Sequence, residues 1–182
     1  MVFKFKGYTL FDLANMSFNV SPTDALRNTF IDRTKKHIAL VNKYAKKIDR
    51  EYPEHDNSKL TDLLDMYCYF SKPKEERTED ENALLDIGTY VHITQAPHHP
   101  EYWTTSNLIG FTRANPNPNG IIEVVDMPEE ALLEMCCDWC ATGDEKGNSG
   151  SEWFDLVNGV RWLFSEEQQE FIRETLKKLE EE

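Results

Sequence analysis

The chain has no apolar run approaching the ~18 residues a membrane-spanning helix needs. Its opening, Met1-Val-Phe-Lys-Phe-Lys, lacks the apolar core of a secretory signal. The expected location is therefore cytoplasmic. Basic residues are scarce, and 20 Lys and Arg against 33 Asp and Glu leave a formal charge of −13. That excess argues against duplex nucleic acid as a partner, because phosphate backbones are held by basic surfaces. A small phosphorylated ligand stays admissible, since bound cations reverse the local field. Cysteine is sparse too: Cys68, Cys136, Cys137 and Cys140 supply one C-x-x-C within a strongly helical stretch, without the second pair of a zinc site. Buried, reduced thiols are the expectation. Neither repeats nor a domain boundary interrupt the chain. Its 182 residues, 40% hydrophobic and 12% aromatic, form one packed domain spanning 1–182, with which a homodimer is compatible.

Histidine is also rare, but its placement carries chemistry. All five, His37, His55, His92, His98 and His99, fall where a bound metal needs them, and Asp56 and Asp138 complete the pattern. Neutral imidazole and carboxylate hold catalytic divalent cations, and two such cations take about six protein ligands. His37, His55, Asp56, His92, one of the doublet and Asp138 make six. Of the doublet, His99 is the expected ligand and His98 its substitute, because adjacent side chains in extended backbone face opposite ways.

The order H…HD…H…H…D resembles the HD superfamily of metal-dependent hydrolases. From His55 to Lys59 the chain reads H-D-N-S-K, similar to the HD-x-x-K signature in which the lysine sits beside the substrate phosphate. H-H-P-E-Y-W (His98 to Trp103), M-P-E-E-A-L-L-E-M-C-C-D-W (Met127 to Trp139) and Glu152-Trp153 resemble a family of small phage and bacterial proteins with HD-like motifs and no established activity. The resemblance runs from about His37 to the C-terminus. One departure is the six-residue spacing of His92 and His98, closer than in many two-metal HD enzymes.

The resemblance implies a mainly α, single HD-like helical bundle around one or two divalent ions, whether Mn, Fe, Co, Zn or Mg. For a phage-encoded chain the cytoplasm would be the host's. The implied chemistry is hydrolysis of a small phosphate ester, foremost a nucleotide, by metal-activated water. Asp56 and Lys59 are the catalytic candidates, with Lys59, Tyr102 and Trp103 at the substrate. Two alternatives belong to other classes: a di-iron HD-type oxygenase, since histidine-rich ligation also suits iron, and a non-catalytic nucleotide-binding phage protein.

Along the chain, residues 1–20 form an N-terminal arm with a partly alternating, strand-like start. Ser21-Pro22 with Asp24 predicts a capped helix start, and the helix runs to about Arg50. Its inward stripe is Phe30, His37, Val41, Tyr44 and Ile48. A second helix is expected from Asp56 or Ser58 through Phe70, then a charged loop from Ser71 to Asp80. A third carries Leu84, Ile87 and Val91 and delivers His92, before Pro97 and Pro100 fix the turn that presents His98 and His99. Residues 104–120 are a long loop and a candidate lid.

Ile121 to Val125 is the clearest strand candidate, with the N-terminal arm as its proposed partner. Asp126-Met-Pro-Glu129 predicts a capping box for a helix holding Ala131, Met135 and Asp138 on one face. A carboxylate so placed is costly unless paired or bound to metal. Glu134 shares that face and is placed to hold a ligand histidine. Gly143 to Gly150 is a flexible connection, a short helix starts at Ser151, and Ser165 with Gln168 caps the last helix, which buries Phe171, Ile172, Leu176 and Leu179.

Overall fold

The computed structural model describes residues 20–181 and the backbone of 4–5 and 8–9. In the arm, β1 (Lys4–Phe5) and β2 (Tyr8–Thr9) pair antiparallel with each other. The rest of residues 1–19 lies outside the described residues. The described chain is mainly helical: α1 (Asp24–Lys46), α2 (Asn57–Leu60), α3 (Leu64–Tyr67), α4 (Glu79–Gln95), α5 (Glu129–Lys146), α6 (Gly150–Val157) and α7 (Glu166–Glu180). Short 3₁₀ turns occupy Cys68–Ser71, Lys74–Glu76 and Pro100–Trp103. No described helix is long and apolar enough to cross a membrane.

Local chemistry explains where the helices begin. Thr78 and Glu81 cap α4, Ser149 and Glu152 cap α6, and Ser165 and Gln168 cap α7. In each pair the side chains bond reciprocally to backbone N–H groups. The α1 stripe is inward as its spacing predicts, with Phe30, Val41, Tyr44 and Ile48 buried. Against it pack α5 and, beyond, α6 and α7, whose Phe154, Ile172, Leu176 and Leu179 share one core with Val41 and Ala45. A fully buried Leu, Ile or Phe is worth about 1.5–3 kcal/mol, so this cluster supplies much of the bundle's stability. A smaller cluster of Phe30, Leu63, Tyr67, Cys68, Tyr69 and Leu85 closes the other side. All four cysteines are free and buried, as expected.

Several boundaries differ from the sequence expectation. The cap of α1 is Thr23, whose Oγ1 accepts from the Leu26 N–H, and α1 ends at Lys46. The expected helix from Asp56 to Phe70 is broken into α2, α3 and a 3₁₀ turn. Thr61 Oγ1 donates to the Asn57 carbonyl while the Leu63 N–H turns back to Ser58 O, so a local side-chain bond competes with the helical ladder. Asp126 is not a cap: it sits at φ 51°, and Pro128 occupies the N-cap of α5 without a side-chain bond. At the other end α5 runs into the glycine segment as far as Lys146 and stops at Gly147, which has φ 77°. Gly143 lies inside that helix because the Asn148 carbonyl oxygen comes within 2.7 Å of where a Cβ would be.

The strand candidate also has a different partner. β3 (Ile122–Glu123) pairs in parallel with β4 (Trp162–Leu163), which no sequence signal marks, and not with the N-terminal arm. This small sheet braces the His98-His99 turn. Glu101, buried, accepts from Arg161 Nη2 at 2.8 Å and from Trp162 Nε1 at 3.0 Å. The Val125 N–H donates to Trp103 O at 2.7 Å, and Trp103 Nε1 donates to Pro97 O. The 104–120 loop is irregular but anchored. Phe111 is buried against Tyr90, and Arg113 Nε donates to Asp86 at 2.8 Å.

Candidate metal centre

Five elements bring the expected ligands together. α1 supplies His37, the turn before α2 supplies His55 and Asp56, α4 supplies His92, the turn after it His98 and His99, and α5 supplies Asp138. Asp56 holds φ 58°, a left-handed conformation uncommon outside glycine and enriched at functional sites. That turn drives its carboxylate inward to 3% exposure, where it becomes the hub. Oδ1 lies 2.9 Å from His92 Nε2 and 3.7 Å from His98 Nε2. Oδ2 lies 3.8 Å from His55 Nε2 and 4.0 Å from His37 Nε2.

The donor atoms fall into overlapping groups compact enough to hold a metal ion. One is Asp56, His92, His98 and His99; another is His37, His55 and Asp56; a third is His55, His98 and Glu134. Asp138 joins the second group, with Oδ1 2.9 Å from His37 Nε2 and 3.8 Å from His55 Nε2. Sequence spacing selects one member of the doublet, but both side chains reach the cluster.

The fit to a cation rests on unsatisfied atoms. Nε2 of His55, His92, His98 and His99, and Oδ1 of Asp56, are buried without a hydrogen-bond partner among the described residues, the 2.9 Å approach of His92 Nε2 to Asp56 Oδ1 lacking hydrogen-bond geometry. Buried polar atoms are normally paired, and each exception calls for an explanation. Glu134 supplies part of it. Its Oε1 lies 2.9 Å from His55 Nδ1 and 3.3 Å from His98 Nδ1. Burial works against its charge, but those two imidazoles hold its pKa down at about 2. An ionised carboxylate only accepts, so His55 Nδ1 donates and its Nε2 presents a lone pair to the cluster. Ser58 Oγ plays the corresponding part at 3.0 Å from His92 Nδ1.

Charge states agree with this picture. Burial, then Lys59, lowers His92 to about 4. Burial, followed by His98 and His92, puts His99 well below the ordinary range. Both are neutral imidazoles near neutral pH, the form that ligates metal. Burial opposes the charge on Asp56, yet Lys59, His92 and His55 keep it ionised. His37 differs: burial lowers its pKa, but Asp138, Asp56 and Glu145 outweigh that and raise it.

Lys59 Nζ lies 2.7 Å from Asp56 Oδ2, one helical turn on. Both line a cavity of about 350 Å³ with His37, His92, His99 and Asp138. A second cavity, about 580 Å³, opens on the other side of Asp56 and His92. Tyr102 and Trp103, expected at the substrate, line neither cavity, and Tyr102 points outward, 43% exposed. Sequence spacing overlooks Ser58, Glu145 and the cation Arg33 at the cavity wall. Glu145, whose Oε2 lies 3.2 Å from His37 Nδ1, follows Asp138 by seven residues on α5, two turns along the same face.

No curated protein and no solved structure matches the chain. A family model does match, over residues 26–179, a span that contains every one of these ligand candidates, and the chain belongs to that family of unknown function, DUF5662.

Proposed function

We propose that the chain is a metal-dependent phosphohydrolase of the HD type, acting on a nucleotide or another small phosphate ester. The observation that carries this reading is the position of Asp56. Its carboxylate is shared by two histidine groups while Lys59 Nζ sits 2.7 Å from Oδ2. One cation would be held by His37, His55, Asp56 and Asp138, and a second by Asp56, His92, His98 and His99. A divalent cation so held would lower the pKa of a bound water to about 7 and so supply a nucleophile at neutral pH.

The chain's own residues supply the rest. In hydrolysis the water oxygen bonds to phosphorus as the P–O bond to the leaving group breaks, and the released proton goes to the leaving oxygen. Asp56, ionised and acceptor-only, orients the water by accepting a hydrogen bond from it. The Lys59 ammonium faces the same cavity and neutralises charge building on the phosphoryl oxygens. Burial works against that ammonium, but Asp56 raises its pKa, so it stays charged at neutral pH.

The test is turnover of a nucleotide panel by protein loaded with Mn²⁺ or Co²⁺; no release of phosphate or pyrophosphate from any member would sink the reading. A di-iron oxygenase is the second reading, favoured by the histidine-rich group of Asp56, His92, His98 and His99. Iron content and colour of protein purified without added metal, together with oxygen consumption, separate the two.

A further inference from the structure

The two cavities that meet at Asp56 and His92 differ in charge: one wall holds only acidic charges, the other both signs. The 580 Å³ cavity is lined by Glu51, Glu54, Asp62 and Glu134, with no lysine or arginine in its wall. The 350 Å³ cavity carries four cations, Arg33, Lys59, Arg113 and Lys146, against three carboxylates, Asp56, Asp138 and Glu145. A phosphorylated ligand is repelled by the first wall and drawn to the second.

Within this second wall the four cations have different obligations. Lys59 is paired with Asp56 and Arg113 with Asp86. Arg33 and Lys146 are exposed and have no hydrogen bond or ion pair among the described residues. Arg33 precedes His37 by one turn of α1, about 6 Å along the axis. Lys146, in the last turn of α5, directly follows Glu145, which holds His37. Both cations line the same cavity as His37 and Lys59. Deeper in the same cavity wall, the buried Nε2 of His99 lacks a partner.

We infer that the substrate enters through the cation-lined cavity and carries a second phosphate beyond the one attacked, held by Arg33 and Lys146. The inference rests on the phosphohydrolase reading and narrows its substrate to a diphosphate or bisphosphate ester. Arg33 offers a planar fork that pairs with two phosphate oxygens, and Lys146 adds a mobile point charge. A monophosphate reaches Lys59 but leaves both outer cations unused.

Calorimetric titration of the Mn²⁺-loaded full chain with inorganic phosphate and inorganic pyrophosphate tests this apart from turnover. The parent should bind pyrophosphate about tenfold more tightly than phosphate, as charge-assisted bonds of ordinary strength imply. Arg33→Gln combined with Lys146→Gln should bring the ratio close to one, and Arg33→Lys should keep part of it. Both positions are exposed, so folding is spared. Asp62→Asn, in the acid-lined cavity, should keep the parent ratio. A parent without the preference, a double variant that keeps it, or an Asp62→Asn protein that loses it would each overturn the inference. A parent that shows the preference but hydrolyses no phosphate ester supports the binding assignment and sinks the hydrolase reading instead.

Discussion

Glu134 Oε1 sits 2.9 Å behind the Nδ1 atom of His55, so the imidazole's other nitrogen turns its lone pair toward Asp56. A carboxylate so placed fixes both the tautomer and the ring orientation of a ligating histidine. Purified protein should therefore hold divalent metal, and His55→Ala or Asp56→Ala should remove most of it. Glu134→Gln keeps every ligand atom but loses the ionised acceptor, and should weaken metal affinity about 10–100-fold. Elemental analysis and competitive chelator titration check both. Unchanged stoichiometry in His55→Ala and Asp56→Ala would exclude the assignment.

The doublet gives a second expectation. His98 and His99 both belong to the group with Asp56 and His92, and neither Nε2 has a hydrogen-bond partner among the described residues. The extended-backbone rule that sends adjacent side chains to opposite faces is broken here by the tight turn after Ala96. There the His99 N–H returns to the Ala96 carbonyl, and the two rings lie 4.4 Å apart, tilted by 43°. Each single alanine variant should lose metal. Parent-level metal in either one removes that residue from the ligand set.

Away from the centre, Glu81 links stability to pH. Lys72 Nζ lies 2.8 Å from both of its carboxylate oxygens, and the Thr78 N–H donates to Oε2 at 2.9 Å. Burial opposes its charge, but Lys72 and Thr78 prevail and lower its pKa below 4.5. A carboxyl more acidic in the folded state than in the unfolded one stabilises the fold above about pH 4.5, and that contribution fades as the pH falls further. Glu81→Gln should lower Tm by about 2–4 °C at pH 7. The gap to the parent should close on acidification below about pH 4.5. A gap that stays constant with pH would mean that the charge is not what matters.

The legible parts of this molecule are those set by periodicity and local caps. The inward face of α1, the Ser165–Gln168 box and the shared face of Met135 and Asp138 follow from spacing alone. The ligand candidates rest instead on the H…HD…H…H…D order and its resemblance to HD proteins, and the fold brings these residues into one cluster. What spacing does not carry is tertiary. β4 is only two residues long, and its pairing with β3 depends on Glu101 binding Arg161 and Trp162 some 60 positions away. Glu145 has surface composition and gains a role only because α1 places His37 against α5. Asp126 has the letters of a cap but is held at positive φ, and Pro128 takes the N-cap of a helix that starts at Glu129.

Lys59 separates the two chemical readings of the site. Its ammonium touches Asp56 and lies 5.5 Å from the Tyr67 ring, within the cationic cavity and outside the imidazole groups. In phosphoryl transfer it contacts substrate oxygens and leaves the cation to the histidines. Lys59→Ala should then preserve folding and metal content while lowering kcat/KM on phosphate esters by about 10²–10³-fold, the usual loss for one charge-stabilising donor. Lys59→Arg should recover only part of this, because a planar fork replaces a compact point charge. Removing the ammonium also leaves Asp56 Oδ2 without its 2.7 Å partner. Metal content must therefore be measured in the same samples, to separate lost transition-state contact from a disturbed ligand. Variant protein with full metal and undiminished turnover makes Lys59 a bystander and deprives the proposed mechanism of its phosphate-binding group. Parent and variant that both leave nucleotides intact, while iron-loaded parent consumes oxygen, transfer the site to oxygenase chemistry.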